Sequence, residues 1–330
     1  MRCLLLVLSL TMSLSLAIEV LSDEVLTVDS RGKELRRKGE IVDYKGDKLT
    51  LRSLSGRETK IPSASIKRVD AEWLPEHQEA DQHYEVGDFE RAGDLYRAAF
   101  RKEKRRWVQR RLLAKVVRCQ ANTGREAEAC KNFARLVSDD PDTVYFAEIP
   151  LTWQTEPTPP VVAKLVAPWM NDTANPAKQL MAASWLSVTN QDAKRILKEL
   201  ARVESGAVAE LALAQYWRSE LMSLDESRLK FWEDRIEQMP LDLRAGSYYL
   251  LGLSYAKFDK WDDASLAFLR LPSQYPDQVA LNVAALLKCG ESMQKAARND
   301  EAALCYRRLA ELRVSEPVTA LALKKLNDLP

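Results

Sequence analysis

Hydrophobic and polar positions alternate with period two over the first part of the chain and recur at helical spacing thereafter, the change falling near Trp73. Glu24–Val28, Gly39–Tyr44, Leu49–Leu54, Thr59–Ile61 and Ser65–Val69 are short, alternating and rich in β-branched residues. Lys45-Gly46-Asp47 and Ser55-Gly56 lie between them as turn signals. The pattern predicts short strands over residues 22–71 and no later sheet. Further on, Ile196, Leu197, Leu200 and Val203, or Leu211, Ala214, Tyr216 and Trp217, recur as one face of a helix does. Four helices are predicted there, over Ala177–Val188, Gln191–Val203, Ala207–Leu221 and Glu226–Met239. Residues 144–176 interrupt the periodicity, because Pro150, Pro157, Pro159, Pro160, Pro168 and Pro176 cannot sit inside regular helix without cost. Val144, Tyr145, Phe146, Ile149, Leu151 and Trp153 are too apolar for a flexible linker. The segment is read as an ordered, irregular, proline-rich connection with a short helix near Val161–Trp169. Pro317 opens a last helix running to about Asn327.

Particular residues recur on top of this periodicity. Leu251-Gly252-Leu253-Ser254-Tyr255 is followed by Ala264, Phe268 and Pro276. This order resembles the tetratricopeptide repeat (TPR), a helix pair that stacks into a solenoid. Gly87-Asp88-Phe89, Ala92, Tyr96 and Ala99 fall on the same template, as do Gly124, Ala129, Phe133 and Pro141, and Gly290, Ala302, Tyr306 and Leu309. The landmark alanines 92 and 129 are 37 apart and 264 and 302 are 38 apart, a little over the family's spacing of about 34. A small residue there lets two antiparallel helices approach closely, and the aromatic residue one turn later fills the seam.

The resemblance implies a mainly α protein, a TPR-like α-solenoid preceded by a small β-barrel domain. It places TPR pairs at 73–143 and at 245–330, the second with a C-terminal capping helix, and two divergent hairpins between them at 177–240. It also implies binding and not catalysis. The first helix of each pair lines the concave groove in this family, which carries over to His77, Asp81, Tyr84, Arg111, Arg118, Tyr249, Leu253, Lys257, Leu287, Glu291 and Lys295 as residues facing a protein or peptide partner. The strand region, with its turn Pro62-Ser63-Ala64 before the last strand, resembles SH3-like and Sm-like barrels. Such barrels include RNA binders as well as structural and protein-binding modules.

Composition adds limits. At 330 residues with 46% hydrophobic positions, a long stacked core can be buried. Lys+Arg 49 against Asp+Glu 48 gives no global bias toward nucleic acid or membrane surfaces. Arg2, the apolar run Leu4–Leu16 and Ser15-Leu16-Ala17 read as a signal peptide over 1–17, so the chain is expected to be exported, periplasmic or secreted, with no nucleic-acid partner and no membrane span in the mature chain.

Chemistry is sparse. His77 and His83 are six apart and do not share a helix face as a metal pair would. Ser292-Met293-Gln294-Lys295 spells a nucleophile motif without its companion motifs. No catalytic residue, metal or cofactor is expected. The one conspicuous charge feature is the basic run of Arg101, Lys102, Lys104, Arg105, Arg106 and Arg110. It reads either as a solvated junction between hairpins or as a grip on an anionic envelope polymer such as peptidoglycan or polysaccharide. Four cysteines lie in the repeats, two to a hairpin. They are either small buried seam residues or the disulfides Cys119–Cys130 and Cys289–Cys305.

Overall fold

The computed structural model describes residues 23–312 and 315–329. Residues 1–17, read from the sequence as a signal peptide, lie outside the described residues. Five antiparallel strands come first: β1 (Asp23–Val28), β2 (Glu34–Lys45), β3 (Lys48–Arg52), β4 (Glu58–Pro62) and β5 (Ile66–Asp70), in the spatial order β4-β3-β2-β1-β5. β2 extends well before the stretch read from the sequence. Its first half pairs with β1 and its second half with β3, so one long strand turns the sheet through a corner. Gly39 sits at that corner, where a Cβ would lie 2.3 Å from the Arg52 carbonyl oxygen; only glycine allows the strands so close. The sheet is barrel-like but does not close. β4 and β5 are joined by the short 3-10 turn Ser63–Ser65 and are not paired with each other.

Fourteen α-helices follow among the described residues. The first four are α1 (Pro75–Glu85), α2 (Phe89–Lys102), α3 (Arg106–Asn122) and α4 (Glu126–Asp139). The proline-rich connection contains α5 (Pro160–Val166). Next come α6 (Pro176–Leu186), α7 (Gln191–Val203), α8 (Gly206–Glu220) and α9 (Leu229–Gln238), close to the spans that periodicity predicts. The chain ends with α10 (Ala245–Lys257), α11 (Trp261–Gln274), α12 (Val279–Lys295), α13 (Asn299–Glu311) and α14 (Glu316–Asn327). Proline at the first turn of α1, α5, α6 and α14 opens each helix where its missing N–H costs nothing. Asp88, Asn175 and Asn190 cap α2, α6 and α7 through side-chain oxygens.

The repeat landmarks have a direct packing cause. A Cβ at Gly252 would lie 2.5 Å from the Phe268 ring, and one at Gly290 would lie 2.4 Å from the Tyr306 ring. In each hairpin, α10–α11 and α12–α13, the aromatic side chain of the second helix occupies the space a side chain on the first would need. Ala92, Ala129, Ala264 and Ala302 are all fully buried. The apolar core runs without a break from Leu113 to Tyr306. A second cluster joins Val25, Ile41, Leu49, Leu51, Ile61 and Val69 of the sheet to Ala80, Leu95, Tyr96, Trp107 and Leu112 of the first helices. The sheet therefore packs on the first repeat through a shared core.

Candidate functional site

In a solenoid of helix hairpins the binding surface is the row of first helices, here α1, α3, α6, α8, α10 and α12. The chain's own connection lies across the middle of that row. From Tyr145 to Thr158 it runs along α3, α6, α8 and α10, first as the 3-10 turn Phe146–Glu148 and then without helix or strand, and their side chains hold its main chain. Arg118 of α3 donates to the Ala147 carbonyl at 2.8 Å and pairs with Glu148 at 2.6 Å. Trp185 of α6 donates through Nε1 to the Pro150 carbonyl at 2.8 Å. Ser184 Oγ accepts from the Thr152 N–H at 3.2 Å, and Gln215 of α8 donates to the Thr152 carbonyl at 3.0 Å. Arg218 donates to the Gln154 carbonyl, and the Tyr249 hydroxyl of α10 donates to Gln154 Oε1 at 3.3 Å. Phe146 and Leu151 are buried in the main core. Trp153 lies so close to α10 that a Cβ at Gly246 would be 1.9 Å from its ring. Side chains reading an extended main chain are how a groove of this kind grips a peptide. Here the peptide is internal, and a cavity of about 210 Å³, bordered by Arg118, Asn122, Glu148, Trp153 and Gln278, is what remains beside it.

Arg218 carries much of this grip. It is buried, and its guanidinium donates to Gln215 Oε1 at 2.9 Å, to Ser187 Oγ at 2.8 Å and to the Ser184 carbonyl. Burial pushes its pKa down to about 10, so it stays charged at neutral pH. Gln215 and Arg218 were not among the residues expected to line a groove, because α8 carries no repeat landmark. The available signal was two polar residues on the inward side of an apolar helix.

The residues carried over from the repeat template are therefore mostly committed within the chain. Arg118 and Tyr249 hold the internal segment. Lys257 donates to the carbonyls of Leu221, Met222 and Leu224 at 3.1, 2.8 and 2.9 Å, closing the C-terminal end of α8 and the turn after it. Leu253 and Leu287 pack against the core. Glu291 bridges Lys288 at 3.0 Å and Lys325 of α14 at 2.9 Å. Arg111 lies over the Trp73 ring at 4.9 Å. His77 is buried between Trp73 and Tyr96, with its Nε2 3.8 Å from Asp81. Burial lowers its pKa to about 4 despite Asp81, so the ring is neutral at pH 7. Tyr84 sits under Lys115 at 4.2 Å. Lys295 is exposed.

A second, larger cleft lies away from the internal segment. The superhelix turns back so that α3 meets the start of α12: Asn122 Nδ2 donates to the Asp277 carbonyl at 2.9 Å, and Asn122 Oδ1 accepts from the Ala280 N–H at 3.4 Å. Beside this contact is a cleft of about 1210 Å³ bounded by the turns at 84–90 and 121–126 on one side and by α12 and the end of α13 on the other. Val86, which is 79% exposed, Phe89, Val279, Val283 and Leu312 supply its apolar surface. Glu85, Glu126 and Asp277 supply acidic groups at its rim.

The basic run is not a free cationic stripe. Lys102 pairs with Glu76, Arg105 with Glu103 at 2.8 Å, and Arg106 with Asp139. Arg110, expected in the exposed patch, is buried. It pairs with Asp43 of β2 and with Asp139 at 3.0 Å, and donates to the Tyr44 carbonyl at 3.0 Å. Asp140 accepts from the Gly46 N–H at 2.9 Å. The run thus fastens the β2–β3 hairpin to α3 and α4. Arg101 and Lys104 are exposed.

All four cysteines of the repeats are buried free thiols. The expectation of a Cys119–Cys130 bridge meets a geometric obstacle. Cys119 faces α2, where a Cβ at Gly93 would be 3.2 Å from its own Cβ, whereas Cys130 faces the internal segment with Sγ 3.8 Å from the Pro150 carbonyl. Similar height along facing helices does not turn the two side chains toward each other. Burial pushes both thiols up to about 12. Cys289 and Cys305, in contrast, do meet, with Sγ atoms 3.2 Å apart.

No curated protein matches the chain. Residues 247–277, covering most of α10 and all of α11, match the family model described as tetratricopeptide repeat. The α10–α11 hairpin, with Gly252 seated under Phe268, is thus a TPR unit within a longer helical body, and TPR repeats are typically non-catalytic protein–protein interaction modules.

Proposed function

We propose that this protein is a non-enzymatic, exported scaffold that binds a protein segment in the cleft where its superhelix closes, and not along the middle of its concave groove. The observation that carries the reading is the internal segment itself. Groove residues that would grip a partner's main chain already grip residues 147–154, while the cleft beside Val86 and Val279 is open. Apolar side chains over an acidic rim suit a segment with an aliphatic anchor and basic flanks. Export is supported by the apolar run Leu4–Leu16 followed by small residues at Ser15-Leu16-Ala17. Binding of an anionic polymer by the basic run loses its support, since Lys102, Arg105, Arg106 and Arg110 each have carboxylate partners.

A photo-crosslinking residue placed at Val86 tests the site, with one at Thr152 as comparison. In cells, a discrete protein adduct is expected from position 86 and none from position 152. An adduct from 152 alone would move the partner back to the groove, and no adduct from either would defeat the reading. N-terminal sequencing of the mature chain tests export, with a start after Ala17 expected.

A further inference from the structure

Helices α12 and α13 bring two thiols into contact. Cys289 and Cys305 have Sγ atoms 3.2 Å apart, and Cys289 Sγ also lies 3.8 Å from the Ser265 carbonyl of α11. The pair is not sealed from outside. On the convex face, between α11 and α13, is an apolar groove of about 650 Å³ with Leu266, Leu269, Leu286, Met293 and Leu304 in its walls and Cys305 among its lining residues. Leu266 is 64% and Leu304 60% exposed. They stand at equivalent repeat positions, two residues after Ala264 and Ala302, where the first two repeats carry Asp94 and Lys131. The leucines keep this one seam apolar and open down to a sulfur atom.

We propose that Cys289 and Cys305 form a redox-active dithiol, converted by peroxide entering through this groove into a disulfide within the α12–α13 hairpin. Cys305 reacts first, because it lines the groove and Cys289 lies behind it. Its sulfur, as the thiolate, attacks one oxygen of hydrogen peroxide. The O–O bond breaks, the displaced oxygen leaves as water after taking up a proton, and Cys305 becomes a sulfenic acid. The Cys289 sulfur then attacks the Cys305 sulfur. The S–S bond forms as the S–OH bond breaks, and a second water leaves with the Cys289 proton. Two thiols give up two electrons and one peroxide takes them. Contact with the Cys289 sulfur supports the order of events by lowering the Cys305 pKa, against the effect of burial. The same contact, together with burial, raises that of Cys289. Bond formation draws the sulfurs from 3.2 Å to about 2 Å, pulling α13 onto α12. Cys119 and Cys130 face opposite sides of their hairpin and take no part.

The test uses the purified full chain, reduced, freed of reductant and treated with hydrogen peroxide. Remaining thiols are alkylated, and a non-reduced digest is read by mass spectrometry. A 289–305 linkage is expected, reversed by dithiothreitol, with Cys119 and Cys130 alkylated. Alkylation of both Cys289 and Cys305 after treatment would overturn the proposal, as would their passage to sulfinic acid without a bridge, or a 119–130 linkage. Thermal unfolding gives a second readout. Closing this short loop should raise the melting temperature by roughly 5 °C, and Cys305→Ser should show no peroxide-dependent rise. Should that variant fail to fold, the mapping on the unaltered chain still decides.

Discussion

Gly246→Ala separates the internal segment's contribution from that of the helix beneath it. Taken alone, α10 should gain by somewhat less than the ~1 kcal/mol by which alanine is better than glycine in a helix interior, because Gly246 lies in the first turn. The new Cβ, however, would lie 1.9 Å from Trp153 Cε2 and 2.2 Å from Cδ2 and Cζ2. Real Cβ atoms do not approach a ring that closely, so the indole must leave. A tryptophan covers 150–250 Å² when buried. Trp153 is half-buried, so roughly 100 Å² returns to water, worth about 2.5 kcal/mol at ~25 cal/mol per Å². Moving Trp153 also loosens Gln154, whose carbonyl accepts from the buried Arg218. The net expectation is a loss of about 1.5–2.5 kcal/mol, or roughly 2–4 °C in melting temperature. Thermal unfolding by circular dichroism measures it, and limited proteolysis with a protease that cuts after aromatic residues reports whether Trp153 is released. A melting temperature that rises, with no new cleavage near Trp153, would mean that helix propensity alone governs the site and that the segment does not lie in the groove as described.

Other expectations follow from the same contacts. Arg110→Ala leaves the partly exposed Asp43 and Asp139 without their shared partner, Asp139 still facing Arg106, and should cost about 1–3 kcal/mol through the lost charge-assisted hydrogen bonds; urea unfolding measures it, and Arg101→Ala should change it by less than about 1 kcal/mol. His77 has a folded-state pKa of about 4 against an ordinary 6.5. The unfolded chain therefore binds more protons between those values, and stability contributed by the neutral ring, fully present above pH 6.5, is lost as pH falls toward 4. The loss should approach about 3 kcal/mol, and denaturant unfolding between pH 7 and 4 should show a shallower pH dependence in His77→Gln.

The strands, the repeat register and the helices from α6 to α9 could be read from the sequence because each follows from residues close together in the chain. Alternation marks Val25, Leu49 and Leu51 as inward-facing, and Gly252 with Phe268 fixes a hairpin whose two helices are neighbours. The groove could not be read the same way. Phe146, Ile149, Leu151 and Trp153 are apolar enough to show that residues 144–158 are ordered, but an irregular, proline-broken segment has no period to say which surface it covers. The template therefore left Arg118 and Tyr249 facing a partner, when their partner lies 29 and 95 residues away in the same chain. Arg110 misled for a related reason. A run of basic residues looks solvated until Asp43, 67 residues earlier, folds onto it. The two cysteine pairs share one spacing argument, yet only Cys289 and Cys305 meet, because helix rotation decides where a side chain points and height does not.

Hydrogen exchange of the unaltered chain tests the central claim most directly, that the groove is filled from within. The Thr152 N–H is held by Ser184, and the N–H groups of Glu148, Ile149 and Leu151 are held within the segment itself. Peptides covering residues 146–154 should exchange far more slowly than an unstructured chain, and Gly246→Ala should speed them without speeding α11. Exchange of 146–154 at the unstructured rate in the parent protein would contradict the account and return the whole concave face to an external partner.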